Sequence, residues 1–182
     1  MTRIIAGTHR GRRLVVPPGS GTRPTSDRAR EGLFSSLQSL VDLAGARVLD
    51  LYAGSGALGL EALSRGAAGV TVVEADPRAL AAIRSNVREL GLDASVVDAD
   101  VGRFLAGEPP PYGSRFGVVL LDPPYETDVD PVLTALLPWL EEQAVVVVER
   151  RTRGVAPTPP AGLVLDRSRR YGEATLWYFR RS

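Results

Sequence analysis

From Arg47 onward the chain alternates short apolar, β-branched runs with amphipathic stretches of helical spacing, and this rhythm restricts its fold more than any other feature. The spacing predicts strands at 47–51, 70–74, 94–98, 116–121 and 144–149. Helices are predicted between them at 57–65, 77–90, about 100–106 and about 129–137. Each helix must return the chain to the same end of the sheet, so the strands run parallel and the helices cover both faces. The helix after Asp76-Pro77 carries its own boundaries: an acidic N-cap, a proline at its first position, and Gly91 as its stop. Two later apolar runs, 163–166 and 174–179, read as a closing antiparallel hairpin, and 107–115 and 155–162 are Pro/Gly-rich loops.

Before the alternation, residues 3–6 and 13–16 are short apolar runs flanking Thr8-His-Arg-Gly-Arg-Arg13, which predicts a hairpin with a cationic loop. Pro17-Pro18-Gly19-Ser20-Gly21 ends it. Thr25-Ser26-Asp27 can cap a helix running to about Leu40, with Ala29, Leu33, Leu37 and Leu40 on the side that packs on the main domain. The expected organisation is a basic N-terminal hairpin extension, 1–22, followed by one α/β domain, 23–182.

With 182 residues, 44% of them hydrophobic, the chain can bury one substantial core but not two. It has no cysteine and one histidine, His9, so neither disulfides nor an all-protein metal cage is expected, and no metal is assigned. No window approaches the ~20 apolar residues of a membrane span, and the N-terminus lacks a secretory apolar stretch. A cytoplasmic protein without a membrane partner is expected. The net charge of +1 hides an uneven distribution: +6 over residues 1–30, −10 over 31–146 and +5 over 147–182. Basic ends around an acidic middle suit a phosphate-binding rim, although ordinary surface charge has the same composition.

Two motifs carry the chemistry. In Val48-Leu-Asp50-Leu-Tyr52-Ala-Gly54-Ser-Gly56-Ala-Leu-Gly59, glycines occupy a strand-to-helix turn where the backbone can pass close to a ligand. Gly54, Gly56 and Gly59 match G-x-G-x-x-G, and Glu74 ends the next strand twenty residues after Gly54, where a carboxylate can accept ribose hydroxyls. Dinucleotides and S-adenosylmethionine both contain ribose, so Glu74 does not separate them. Asp50 does: a carboxylate at this strand end suits the methionine ammonium and repels a pyrophosphate, though it can also cap the turn. After the following strand, Asp100 and the Val101 amide can take the adenine edge, while Asp100 is equally a natural helix N-cap. The candidate cofactor contacts are Asp50, Tyr52, Gly54, Gly56, Glu74, Ala75, Asp100 and Val101.

The second motif, Asp122-Pro123-Pro124-Tyr125, follows the apolar strand Phe116–Leu121 at its carboxyl end, where open α/β sheets place their sites. An exocyclic base amine is a poor nucleophile because its lone pair is delocalised into the ring. The Asp122 carboxylate and Pro123 carbonyl can accept its N–H groups and free that lone pair, Pro124 stiffens the loop, and Tyr125 offers a stacking face. Together the motifs point to methyl transfer onto an amino group. A nicotinamide-dependent oxidoreductase and a non-catalytic RNA-binding assembly factor remain the readings from other classes.

These motifs resemble those of class I S-adenosylmethionine-dependent amino-methyltransferases. The whole chain, including Arg3-Ile-Ile-Ala-Gly-Thr-His-Arg-Gly-Arg-Arg-Leu14, Arg23-Pro-Thr-Ser-Asp-Arg-Ala-Arg-Glu-Gly-Leu-Phe34 and the late Arg-Tyr171-Gly172, resembles the bacterial RsmD family. That resemblance implies a Rossmann-like, seven-stranded, mostly parallel sheet of order 3-2-1-4-5-7-6. It also implies methylation of guanine N2 in 16S rRNA within the 30S subunit or a late precursor, with S-adenosylhomocysteine as the second product. The expected catalytic residues are Asp122, Pro123, Pro124 and Tyr125, and the expected RNA contacts are Arg3, His9, Arg10, Arg12, Arg13 and Arg23. A monomer is expected. Adenine N6 in DNA and a protein amide are alternative methyl acceptors, because related Pro-Pro motifs serve both.

Overall fold

The computed structural model describes residues 2–18 and 26–182. Its elements in chain order begin with the two-residue strands β1 (Thr2–Arg3) and β2 (Arg13–Leu14), then α1 (Asp27–Gln38), β3 (Arg47–Leu51) and α2 (Ala57–Ser64). They continue with β4 (Gly69–Glu74), α3 (Pro77–Leu90), β5 (Ala94–Asp98), α4 (Val101–Leu105) and β6 (Phe116–Leu121). The chain closes with α5 (Asp130–Leu136), β7 (Leu140–Arg151), β8 (Leu163–Tyr171) and β9 (Ala174–Arg181).

Strands β3 to β9 form one seven-stranded sheet of order β5-β4-β3-β6-β7-β9-β8, which is the 3-2-1-4-5-7-6 order expected from the resemblance. All neighbours are parallel except β9, which runs antiparallel to β7 and β8. The chain leaves β3 toward one edge and returns beside it as β6. The crevice at the carboxyl ends of β3 and β6 is therefore the topological switch point, where ligands of open α/β sheets bind.

Alternation along the central strands sorts the core into two layers. Leu49, Val119, Leu121, Val146 and Val148 pack on the face covered by α4 and α5. Val48, Val118, Leu120, Val145 and Val147 pack on the opposite face with Leu33, Phe34 and Leu37 of α1 and Ile83 of α3. One pleat step further along that second face come Asp50, Asp122 and Glu149. The fold thus gathers three carboxyl side chains at one end of the α1–α3 layer.

The larger departures from the sequence expectation, at the N-terminal ladder, β7 and β8, each have a physical reason. The N-terminal ladder is short, with only Thr2↔Leu14 and Arg3↔Arg13 in register, because the amides beyond it bond to helices instead. The Ile5 and Ala6 N–H groups donate to the buried Glu61 carboxylate at 2.8 and 3.0 Å, and the Val15 N–H donates to Asn86 Oδ1 at 2.7 Å. Strand β7 begins at Leu140 rather than 144, but its pairing with β6 skips between Phe116 and Val118, and Gln143 adopts φ 64°. The polar Glu141-Glu142-Gln143 bulge hides the strand start from an apolar pattern. Strand β8 continues to Tyr171 through Asp166–Arg170 because it is an edge strand, and charged residues suit an edge.

Helix α1 is capped by Ser26, whose hydroxyl accepts the Ala29 N–H at 3.2 Å, while Thr25 lies outside the described residues. Asp76 and Gly91 bound α3 as expected, Gly91 in the left-handed conformation at φ 62°. The hairpin buries Ile4 and Leu14 against Leu60 and Leu90 of α2 and α3, so its apolar side is shared with the α/β core.

Candidate active site

A cavity of about 440 Å³ opens at the carboxyl ends of β3, β4, β6 and β7. Asp50, Tyr52, Gly54 and Glu74 form one side of it and Asp122, Pro123, Pro124 and Tyr125 the other, so both sequence motifs face the same space. Gly56, Ala75, Asp100 and Val101 are not among its lining residues. Gly56 instead shapes the turn as the left-handed N-cap of α2, and Val101 is core. Asp100 caps α4 through the Arg103 N–H at 3.2 Å and lies close enough to Tyr52 to act on it electrostatically.

Asp50 is buried, and its Oδ2 accepts the Gly59 N–H at 2.8 Å. Burial pushes its carboxyl up to about 7; the Gly59 hydrogen bond opposes this and the nearby Glu74 charge adds to it. One oxygen is thus committed to the turn, leaving Oδ1 for other partners. Gly59 permits this approach: a Cβ there would stand 2.9 Å from Val70 and Val72 and 3.0 Å from Asp50 Oδ2.

Three residues of the turn, Tyr52, Gly54 and Gly56, have φ of 59°, 58° and 78°. For Tyr52 this left-handed conformation is strained, and the strain turns the chain sharply out of β3 beside the cavity. Partial burial, and secondarily the Asp100 charge, hold its phenol above the usual range. Glu74 stitches the turn to β4, with Oε2 accepting the Gly54 N–H at 2.8 Å and Oε1 accepting those of Ala75 and Asp76 at 2.8 and 2.9 Å. Its carboxylate orientation is fixed by backbone donors before any ligand arrives.

Sequence reasoning missed four charged groups here. Arg30 lines the cavity at 1% exposure, and its Nη2 donates to the Arg3 carbonyl at 2.7 Å and Asp27 Oδ1 at 2.9 Å. Its Nε and Nη1 are buried without a hydrogen-bond partner. The signal was available: Arg30 precedes Leu33, Phe34 and Leu37 by three, four and seven positions, placing a cation on the apolar stripe of α1. Glu149, 6% exposed, also lines the cavity. Arg150 and Arg151 follow it at the end of β7. They reach the Asp122–Tyr125 loop, the former by hydrogen bonds to the Pro124 and Tyr125 carbonyls and the latter over the Tyr125 ring.

The cationic hairpin is fastened to the domain by several residues selected as RNA contacts. His9 lies between Thr8 Oγ1 and the Leu90 carbonyl, at 2.8 and 3.0 Å, and Arg12 donates to the Glu89 carbonyl at 2.8 Å. Arg3 pairs with Asp27 at 3.0 Å, while Arg10 and Arg13 are exposed and Arg23 lies outside the described residues. Among the described residues, no group of three or more His, Cys, Asp or Glu side chains is placed to hold a metal, and no helix is long and apolar enough to cross a membrane.

Comparison with known proteins gives a consistent family. The family model described as "Conserved hypothetical protein 95" matches residues 2–180. The chain is 39% identical to Ribosomal RNA small subunit methyltransferase D of Escherichia coli, over 98% of this chain and 89% of that one. It is 37% identical to YlbH of Bacillus subtilis, a candidate rRNA methyltransferase, over 93% and 94% of the two chains. The solved structure of yhhF from Escherichia coli, a candidate methyltransferase, superposes with a TM-score of 0.85 at 38% identity, covering 99% of this chain and 97% of that one.

Proposed function

The chain belongs to the RsmD family of class I methyltransferases, and from that premise we propose that it transfers a methyl group from S-adenosylmethionine to the exocyclic N2 of a guanine in 16S rRNA. The observation that carries this reading is the meeting of Asp50 and Glu74 with Asp122–Tyr125 around one cavity. Within the reading, the substrate is the 30S subunit or a late precursor, acted on in the cytoplasm by a monomer. Residues 1–22 serve as an RNA-docking extension of the 23–182 domain.

The cavity's residues fit the cofactor. Arg30, with buried Nε and Nη1 that lack partners, suits the carboxylate of an amino-acid tail. Asp50 suits the ammonium of that tail, and Glu74 the ribose hydroxyls. Tyr52 and the Gly54 backbone would flank the ligand, and Asp100 would approach the adenine from beside Tyr52. When bound, the cofactor supplies an electrophilic methyl group on a sulfonium.

The protein's own part is to orient the nucleophile. Asp122 and the Pro123 carbonyl accept the N–H groups of the guanine amine and hold its lone pair toward the methyl donor. Pro124 limits loop rotation, and the Tyr125 ring stacks on the base once it has left its RNA stack. Asp122 need not be a strong base, because the nitrogen becomes more acidic as it is methylated and releases its proton afterwards.

The test is transfer of label from methyl-tritiated S-adenosylmethionine to unmethylated small subunits, with naked 16S rRNA, DNA and protein extract in parallel, followed by nucleoside digestion. Label in N2-methylguanosine is expected. Label in N6-methyladenine or in protein would reassign the acceptor. In the same assay Asp122→Ala should keep S-adenosylhomocysteine affinity within about twofold and lose about 10³-fold in kcat. Near-normal turnover would remove Asp122 from the mechanism.

A further inference from the structure

The Asp122–Tyr125 loop has an unusual anchoring problem. Pro123 and Pro124 have no backbone N–H, so over these residues the backbone can form hydrogen bonds only through its carbonyl groups. The Pro124 carbonyl accepts the Thr127 N–H at 3.0 Å, which closes a turn within the loop itself. A tie from these carbonyls to the rest of the protein is Arg150, whose Nη1 donates to the Pro124 carbonyl at 3.2 Å and whose Nη2 donates to the Tyr125 carbonyl at 2.6 Å. One planar fork bridges two successive carbonyls, a geometry a lysine ammonium cannot reproduce.

The arginines are themselves held firmly. Arg150 and Arg151 pair with Thr175 and Ala174 of β9, beyond the last β7 residue in register with β6. Thr152 secures the end of that strand through its N–H to the Glu173 carbonyl at 2.7 Å and its hydroxyl to Thr175 Oγ1 at 3.0 Å. Arg150 therefore reaches across from the β7–β9 ladder to a loop with few donors of its own.

Arg151 acts on the ring rather than the backbone. Its guanidinium lies 4.2 Å from the centroid of Tyr125. Tyr125 is a wall shared by two cavities: the 440 Å³ site already described and a second of about 500 Å³, which Arg150 and Arg151 also line. Arg151 does not line the first. It therefore covers the ring from the second cavity and leaves the face toward Asp50 and Asp122 for a base.

We propose that Arg150 and Arg151 are positioning residues of the transfer reaction: Arg150 fixes the carbonyl direction of the Asp122–Tyr125 loop, and Arg151 restricts base stacking to one face of Tyr125. The proposal rests on the reading of that loop as the substrate loop. Releasing Arg150 frees the Tyr125 carbonyl, leaves that of Pro124 tied to Thr127 within the loop and lets the amine acceptors drift, and a displacement near 1 Å at a reacting centre costs on the order of a hundredfold in rate. Releasing Arg151 leaves the acceptors in place but opens a second, unproductive stacking face, so the loss falls on productive RNA binding.

The experiment measures methyl transfer to small subunits and calorimetric S-adenosylhomocysteine binding for Arg150→Met, Arg150→Lys, Arg150→Ala and Arg151→Ala. For Arg150→Met, a kcat loss of about 30-fold or more with cofactor Kd within about twofold is expected. Arg150→Lys should recover only part of it. Added methylguanidine should raise kcat of Arg150→Ala but not that of the unsubstituted protein, a rescue that a misfolded variant would not show. Arg151→Ala should raise KM for subunits about fivefold at near-constant kcat.

Retention of kcat by Arg150→Met within about threefold, or absence of methylguanidine rescue, overturns the role of Arg150. An unchanged KM for Arg151→Ala overturns that of Arg151. If Asp122→Ala loses turnover while the arginine variants keep theirs, this inference alone fails. If Asp122→Ala also keeps turnover, the reading of the loop fails with it.

Discussion

Asp50→Asn should make the protein more stable toward alkaline pH while weakening its hold on the cofactor. In the fold burial pushes the Asp50 carboxyl up to about 7, from an ordinary value of 3.8. Between those two values the folded chain holds a proton that the unfolded chain has lost, so stability is greatest at the acidic end and falls as pH rises toward 7. Integrating that difference from pH 5 to pH 8 gives a loss of about 2.5 kcal/mol attributable to this one side chain. Asn keeps an oxygen for the Gly59 N–H and has no charge to desolvate. The stability of Asp50→Asn minus that of the unsubstituted protein should therefore swing by about 2.5 kcal/mol in favour of the variant across this range, read from urea midpoints at each pH. Binding should move the other way. If the ionised carboxylate holds the cofactor's ammonium, S-adenosylhomocysteine affinity of the unsubstituted protein rises by up to about fiftyfold from pH 5 to pH 7, and that dependence disappears in the variant. A stability difference that stays flat within about 0.5 kcal/mol would refute the raised titration of Asp50. A persistent affinity rise in Asp50→Asn would refute its role toward the cation.

Gly59→Ala should cost about 1–3 kcal/mol in urea unfolding, because its Cβ would meet Val70 and Val72 at 2.9 Å and crowd Asp50 Oδ2. Asn86→Ala should cost about 2–3 kcal/mol and loosen the extension first in hydrogen exchange. Its amide accepts the Val15 N–H and donates to the Val15 and Ser55 carbonyls at 2.9 and 3.0 Å, joining the extension to the glycine turn. Replacing both exposed arginines, Arg10 and Arg13, by alanine should weaken subunit binding and reduce the slope of log affinity against log salt by about one to two. An unchanged slope would place the phosphate contacts elsewhere.

The architecture was legible because the repeating burial demand of a parallel sheet writes itself into sequence: β3, β5 and β6 fall on their expected residues. Each boundary that escaped lies where burial is not the deciding force. At β8 a single-sided edge tolerates Asp166–Arg170, and at β1 and β2 side chains of α2 and α3 compete for the ladder amides. The same distinction governs the site. Both motifs reach the cavity because each is tied to a strand end and to local turn geometry. Arg30, Glu149, Arg150 and Arg151 come from a helix stripe and a strand far along the chain, and each of the three arginines meets a group in another element. Periodicity marks such residues as exceptions to an apolar pattern but does not say what they meet.

On the proposed reading, charge placement lets one molecule attract RNA and yet admit only a base. Among the described residues lining the cavity, Asp50, Glu74, Asp76, Asp122 and Glu149 are acidic and Arg30 is the basic one. A phosphate entering that space would be repelled by several carboxylates at close range. The arginine-rich segments, with +6 over residues 1–30 and +5 over 147–182, lie outside the acidic stretch that supplies most of the cavity. On the proposed reading, the sugar-phosphate chain is held at that rim by long-range attraction while the uncharged guanine alone enters. The same acidic interior suits a ligand carrying ammonium and sulfonium charges, and on that reading Arg30 would meet the single carboxylate of that ligand. High salt should therefore weaken RNA binding steeply and leave S-adenosylhomocysteine affinity nearly unchanged, since contacts within the cavity are shielded from ions. A parallel decline of both would show that rim and cavity do not divide the work in this way.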